Sequence, residues 1–359
     1  MKKRRNYSKK LFSAIFAAAL ILGLSGCGSN GEKTETNTSA DTAQTAEVTG
    51  TSENLKEFRI GVGGNSNSYS MDLGKVAYDA GYLEEELNSA GYTVAIVPFA
   101  GAGPEINEAL AAGELEAAVY GDFPAFISKS NGIDTTIVAL VNGQQQYAVI
   151  SANEEVQTAK DLEGRKVIVP QGTVAQYFWE HYAEARGIDS SRVDIINATT
   201  DAQSLLATGD ADAYVMQPSS LYYLESLGVG TVIDTGADIP EGSTTYLFEV
   251  SSDILTENPQ VGVAINKALI RAYNDAAANP QVLYDATASE SLPAEFTRKN
   301  YEFDTTLSFM SPEITKDKIK YYKGLNDWLL DHSVISNPVD VDSFADTSYY
   351  EEAVKELEK

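Results

Sequence analysis

Residues 92–141 read YTVAIVPFAGAGPEINEALAAGELEAAVYGDFPAFISKSNGIDTTIVALV, and the alternation inside them carries the architecture. Tyr92 to Phe99 is a β-branched, aromatic run of buried-strand type, and Pro104 to Ala112 has helical spacing behind a proline start. Leu115 to Tyr120 is again strand-like, Phe123 to Lys129 helical, and Thr135 to Val141 a further strand. Strands alternating with short helices predict a mostly parallel sheet covered by helices.

The pattern extends in both directions. Upstream, Phe58 to Val62 predicts a strand, followed by a Gly/Asn/Ser loop over Gly61 to Tyr69 and a helix from Met71 to Leu87. Downstream, the polar stretch Asn142-Gly143-Gln144-Gln145-Gln146 breaks the alternation and predicts a hinge. A second α/β set follows, with strands at Tyr147–Ser151, Lys166–Val169, Val193–Ile196, Ala211–Met216 and Thr231–Asp234, and helices at Val174–Arg186, Ala202–Ala207 and Ser219–Leu227. Turn chemistry at Gly236, Pro240, Gly242 and Ser243 predicts a second crossing. The chain then returns through Tyr246–Val250 into helices at Pro259–Ala278 and Thr315–Leu330. The expectation is an α/β protein of two lobes: residues 55–145 with 238–359, and residues 146–237, joined by two strands around a cleft that opens and closes.

The N-terminus has a separate logic. Six basic residues precede an uncharged apolar run from Leu11 through Leu24, too short for a mature membrane span and typical of a secretory signal. Leu24-Ser25-Gly26-Cys27 resembles the bacterial lipobox, which implies a signal peptide over 1–26 and lipidation at Cys27, the chain's single cysteine. Residues 27–54 hold almost nothing bulky and apolar, so they are expected to be a disordered tether between a lipid anchor and the folded part.

Charge narrows the partners. None of the 52 acidic residues precedes Cys27, whereas six of the 26 basic ones do, leaving the mature chain at a net charge of −32. No basic patch for nucleic acid is present, and such a charge mainly favours solubility. Two histidines, His181 and His332, give no metal-binding cluster and are expected at the surface. Gly61-Val62-Gly63-Gly64 and Gly101-Ala102-Gly103 fail the G-x-G-x-x-G spacing and no G-x-x-x-x-G-K-[ST] is present, so no nucleotide cofactor is predicted and the chain cannot itself power transport.

Three groups of residues now resemble a family. They are Pro98-Phe99-Ala100-Gly101-Ala102-Gly103-Pro104 with Ala112-Gly113-Glu114-Leu115-Glu116; Tyr120-Gly121-Asp122-Phe123-Pro124; and Ala159-Lys160-Asp161-Leu162-Glu163-Gly164-Arg165-Lys166-Val167. With Gly172-Thr173 opening a helix and Gly209 to Tyr214 closing on Gln217-Pro218, their order is similar to the sulfonate, taurine and nitrate type of solute-binding lipoprotein, the NMT1/THI5-like family. The resemblance covers roughly residues 57 to 285. It implies the type II periplasmic binding protein fold, a non-enzymatic receptor outside the cytoplasmic membrane, and an ABC permease with a separate ATPase as partner. It also implies a small organic solute of the aliphatic sulfonate type, with no cofactor and no metal.

In open α/β sheets ligands sit beyond the carboxyl ends of strands, against helix starts. Thr173 with Gln176 and Thr200 with Gln203 have capping-box spacing, while Asp122, Gly103 and Gln217 precede or open helices beside a proline. Free N–H groups at such ends favour an anion or an electron-rich oxygen. The candidate ligand-binding residues are therefore Asn65, Ser66, Ser68 and Tyr69 from the glycine-rich loop; Gly101, Gly103, Gly121 and Asp122 from the first lobe; and Gln171, Thr173, Thr200 and Gln217 from the second. Each of these also has a purely structural reading, as a cap or a turn. The candidate loops contain no Arg or Lys, while Asp122, Glu105 and Asp201 lie nearby. A neutral or heteroaromatic solute such as a pyrimidine vitamin precursor therefore stays open, as does an exported enzyme or adhesin on the same fold.

Overall fold

Phe58, Ile60 and Val62 alternate along strand β1 (Lys56–Asn65) and are fully buried, which makes β1 the spine of a sheet with helices on both faces. The computed structural model describes residues 55–239, 242–289 and 292–359, so the signal, the tether and Cys27 lie outside the described residues. After β1 come β2 (Ser68–Ser70), α1 (Leu73–Asp79), α2 (Tyr82–Ser89), β3 (Tyr92–Phe99), α3 (Gly103–Ala111), β4 (Ala117–Gly121), α4 (Asp122–Ser130) and β5 (Thr135–Gln145). The second set is β6 (Ala148–Ser151), β7 (Lys166–Ile168), α5 (Val174–Ala185), β8 (Asp194–Ile196), α6 (Ala202–Thr208), β9 (Ala213–Met216), α7 (Pro218–Ser226) and β10 (Thr231–Thr235). The return comprises β11 (Thr244–Ser251), α8 (Ser252–Glu257), α9 (Gln260–Ala278), α10 (Gln281–Ala286), α11 (Ala294–Asn300), α12 (Lys316–Asp331), α13 (Val341–Phe344) and α14 (Ser348–Leu357).

Two sheets result. In the first, β1 lies between β3 and β4, then β11 and β5 follow, with β2 folded back on β1. The second runs β10-β6-β9-β7-β8. Both are mostly parallel in strand direction, as expected: β1, β3, β4 and β5 run one way in the first and β7, β8, β9 and β10 one way in the second, with β2, β11 and β6 reversed. β6 and β11 are reversed because the two crossings, β5 to β6 and β10 to β11, each carry the chain from one sheet into the other without an α-helix between the strands. This is the type II periplasmic binding protein fold, two α/β lobes with a two-strand hinge.

Three local expectations are corrected. Residues 61–69 form a hairpin instead of a loop, because Asn65 Oδ1 accepts from the Asn67 and Ser68 N–H groups (2.9 and 3.1 Å) and closes a tight Asx turn. The helix expected over 71–87 splits at Gly81, whose φ of 77° is left-handed. Strand β5 continues through the polar stretch to Gln145, since the Asn142 side chain is buried and donates to Gln145 Oε1 at 2.7 Å.

Candidate functional site: a tyrosine-walled cleft between the lobes

Both lobes contribute to one cleft of ≈ 600 Å³. From the first lobe come Asn65, Ser68 and Tyr69 on the hairpin, Met71 and Asp72 before α1, Ala100 and Ala102 before α3, and Tyr246 on β11. The second lobe supplies Thr173 and Val174 at the start of α5, Thr199, Thr200 and Gln203 around the start of α6, and Gln217, Ser219 and Ser220 at the start of α7. Thr173 has the extended backbone of a cap, and its Oγ1 accepts from the Ala175 N–H at 3.2 Å. Gln217 reaches across to the other lobe, its Nε2 donating to the Tyr246 hydroxyl at 3.4 Å.

The C-terminal half of the chain covers this cleft. Thr297, Asn300 and Tyr301, in and just after α11, line it, and α11 itself packs on α7 of the second lobe. Phe296 meets Tyr223 edge-on at 5.5 Å, and Lys299 Nζ lies 3.6 Å from the centre of the Tyr222 ring. This bridge was not legible, since the resemblance stops near residue 285.

Six of the twelve predicted ligand residues line the cleft: Asn65, Ser68, Tyr69, Thr173, Thr200 and Gln217. The other six do not, each for a physical reason. Ser66 sits exposed at the hairpin tip, and Gly101 turns away to donate its N–H to Glu105 at 2.7 Å. Gln171 is tied to its own loop, Nε2 on the Val169 carbonyl and N–H on Asn197 Oδ1. Gly103 and Gly121 are sites of close approach: a Cβ on Gly121 would lie 2.3 Å from Val174 Cγ1 of the other lobe, and one on Gly103 would lie 2.6 Å from Pro124 Cβ. They let surfaces meet and touch no solute space.

Asp122 is the largest correction. It is fully buried, and its carboxylate accepts from the Phe123 N–H (2.8 Å), the Thr245 N–H (2.8 Å), the Thr245 hydroxyl (2.9 Å) and the Tyr321 hydroxyl (2.9 Å). Burial pushes its carboxyl up to about 6 in spite of those four donors, and it pins α4, β11 and α12 together behind the hinge. On the same side Trp328 of α12 packs against Tyr177 of α5, with ring centres 4.9 Å apart. His181, expected at the surface, is half-buried 5.5 Å from Trp328.

Sequence reasoning missed Asp72, Tyr147, Tyr214, Tyr223, Tyr246 and Tyr301, all of which line the cleft. Asp72 is 8% exposed; Asn142 Nδ2 donates to it at 3.0 Å and the Tyr301 hydroxyl at 3.4 Å. Burial pushes its carboxyl up to about 6. No lysine, arginine or histidine is among the lining residues, and no group of three metal-ligating side chains occurs among the described residues. Nor is any described helix long and apolar enough to cross a membrane.

Comparison with known proteins agrees with this geometry. A family model described as NMT1/THI5 like matches residues 75–282. A protein of Escherichia coli (strain K12), named for binding aliphatic sulfonates, is 26% identical over 151 residues, 41% of this chain and 47% of its own length. The chain thus aligns to about half of that relative. The crystal structure of the periplasmic sulfonate-binding protein SsuA from Methylobacillus flagellatus KT is similar with a TM-score of 0.70 at 23% identity, covering 85% of this chain and 96% of that one. The alkanesulfonate-binding protein SsuA from Xanthomonas axonopodis pv. citri, bound to MOPS, gives 0.66 at 18% identity over 82% and 99% of the two chains. At these identities the two structures carry the fold.

Proposed function

The chain belongs to the NMT1/THI5-like family, and from that footing we propose that it is an extracytoplasmic receptor of an ABC importer, holding an organic oxyanion of the sulfonate type between its lobes and handing it to a permease with its own ATPase. Residues 55–145 with 238–359 act as one lobe and 146–237 as the other, and Cys27 carries the lipid that keeps the receptor at the membrane. The observation that carries this reading is the cleft, built from both lobes around the starts of α5 and α7. The first turns of these helices present N–H groups, with the Ser219 and Ser220 hydroxyls beside those of α7, and each start favours an oxyanion by about 0.3–1 kcal/mol at exposed sites, more when desolvated. Contacts from both lobes favour the closed form by their differential affinity, which is what a permease needs to distinguish loaded from empty receptor.

A thermal-shift panel on the full chain tests this. A sulfonate at 100 times its dissociation constant stabilises the fold by about 2.7 kcal/mol. The absence of any shift across alkyl, amino-alkyl and aryl sulfonates would overturn the sulfonate reading. Anchoring is tested separately: Cys27→Ser is expected to release the protein from the membrane fraction, and retention would remove the lipid from the account.

A further inference from the structure

The cleft has two unlike walls, and the first lobe's wall is wrong for a plain anion. Its one charged lining residue is Asp72, and the lining contains no basic side chain to offset it. An alkyl sulfonate closed into this space would put a second negative charge beside a buried carboxylate whose bonded partners, Asn142 and Tyr301, are both neutral.

Asp72 is also held in a conformation that ordinary capping does not explain. It occupies the position before α1 with φ 42°, which is strained for a residue with a side chain, and its carboxylate makes no cap hydrogen bond. The first N–H groups of α1 bond backbone oxygens, Gly74 to Met71 and Lys75 to Asp72, leaving the carboxylate free to face the cleft. Six tyrosines line the same space: Tyr69, Tyr147, Tyr214, Tyr223, Tyr246 and Tyr301. A carboxylate among electron-rich ring faces is the chemistry that receives a cationic nitrogen.

Resting on the receptor reading above, we infer that the solute is zwitterionic, its cationic nitrogen seated against Asp72 and the tyrosines of the first lobe while its oxyanion meets the helix starts of the second. Asp72 is the residue that selects for that nitrogen. The solute thereby supplies the positive charge that the lining lacks, and neither charge is buried alone.

The test is a matched pair, propane-1-sulfonate and 3-aminopropane-1-sulfonate, titrated calorimetrically into the full chain. At pH 7.5 the amino compound is expected to bind about 100-fold more tightly, and Asp72→Asn to shrink that ratio to about threefold or less. Acidification to pH 5 is expected to weaken the amino compound, because Asp72 becomes neutral. The groups facing it, Asn142, Tyr301 and Tyr246, do not titrate in that window, both tyrosines being raised further above their ordinary value. Equal affinity for the pair in the wild-type chain at pH 7.5, or an amino compound whose affinity does not fall at pH 5, would overturn the inference while leaving the receptor intact. Binding of neither compound would bring down the sulfonate reading together with it. Should Asp72→Asn fail to fold, the wild-type pair at the two pH values decides alone.

Discussion

Asp72 and Asp122 are the same residue type at the start of a helix, buried to a similar degree, and each has its carboxyl pushed up to about 6. They do opposite things. Asp122 collects four donors from three elements and has no exposed surface, so its charge is fully used by the fold. Asp72 collects two neutral donors, one of them at 3.4 Å, and opens on the cleft, so its charge waits for something to arrive. Burial alone thus does not separate an architectural acid from a binding acid; the count of donors against the opening to solvent space does.

The sharpest way to break this contrast is to truncate both residues. Asp122→Ala strands the Thr245 and Tyr321 donors in a closed interior and is expected to cost the ligand-free fold about 3–5 kcal/mol in a denaturant melt. Asp72→Asn removes an unpaired buried charge and is expected to raise ligand-free stability at pH 7.5 by about 1–3 kcal/mol. Similar losses for both would erase the distinction.

Acid titration sharpens it further. Because both carboxyls are raised above the ordinary aspartate value, the folded chain takes up protons that the unfolded chain does not. Their stabilising contribution is complete below about pH 4 and is lost as pH rises through about 6. The buried Glu249, raised to about 7 by desolvation, acts in the same direction. Ligand-free stability is therefore expected to climb by about 2 kcal/mol or more on going from pH 7.5 to pH 5. It then falls at lower pH, where Asp304, held down at about 2 by the Ser308 and Thr306 hydroxyls, and the exposed Asp161 begin to lose their bonds. Asp72→Asn is expected to flatten its share of the climb, and a flat wild-type profile between pH 7.5 and 5 would contradict the raised carboxyls.

The two aspartates also show what sequence could and could not disclose. The second lobe's wall was legible because Thr173, Thr200 and Gln217 owe their position to local grammar: a cap, a proline start, a strand end. The first lobe's wall was legible only at its hairpin, in Asn65, Ser68 and Tyr69. Asp122 stood inside a family-like motif and looked like a ligand, whereas its real partners, Thr245 and Tyr321, come from 123 and 199 residues away. Asp72 fell inside the helix expected from Met71 to Leu87, and the tyrosine that betrays its role lies 229 residues on, beyond the reach of any spacing argument. The glycines mislead for a related reason. Gly103 and Gly121 were expected to meet the solute at helix starts, but Pro124 and Val174 occupy the space beside them.

That last point gives a smaller prediction. Gly121→Ala places a methyl where Val174 Cγ1 now sits, forcing the lobes apart at α4 and α5, and is expected to weaken solute binding about tenfold, in line with overpacking costs of 1–3 kcal/mol. Adding Val174→Ala should recover much of it, since the clash is between those two side chains. Calorimetric titration of the single and double variants checks this, and independent, additive losses would show that Gly121 does not control the approach of the lobes.

The smallest expected effect concerns the wall that sequence did read. Thr173→Val keeps shape and removes the oxygen that accepts from the Ala175 N–H, so the ligand-free melt is expected to lose about 1 kcal/mol, the ordinary worth of a cap. Thr173 also lines the cleft, and its hydroxyl donates to the Pro170 carbonyl at 2.8 Å and so holds the loop there, so the sulfonate-induced shift should shrink as well, and Thr173→Ser, which keeps the hydroxyl, should restore both. If valine lowers the melt equally with and without ligand, the hydroxyl serves α5 alone. The oxyanion would then be carried by backbone N–H groups and by Ser219 and Ser220 at the start of α7.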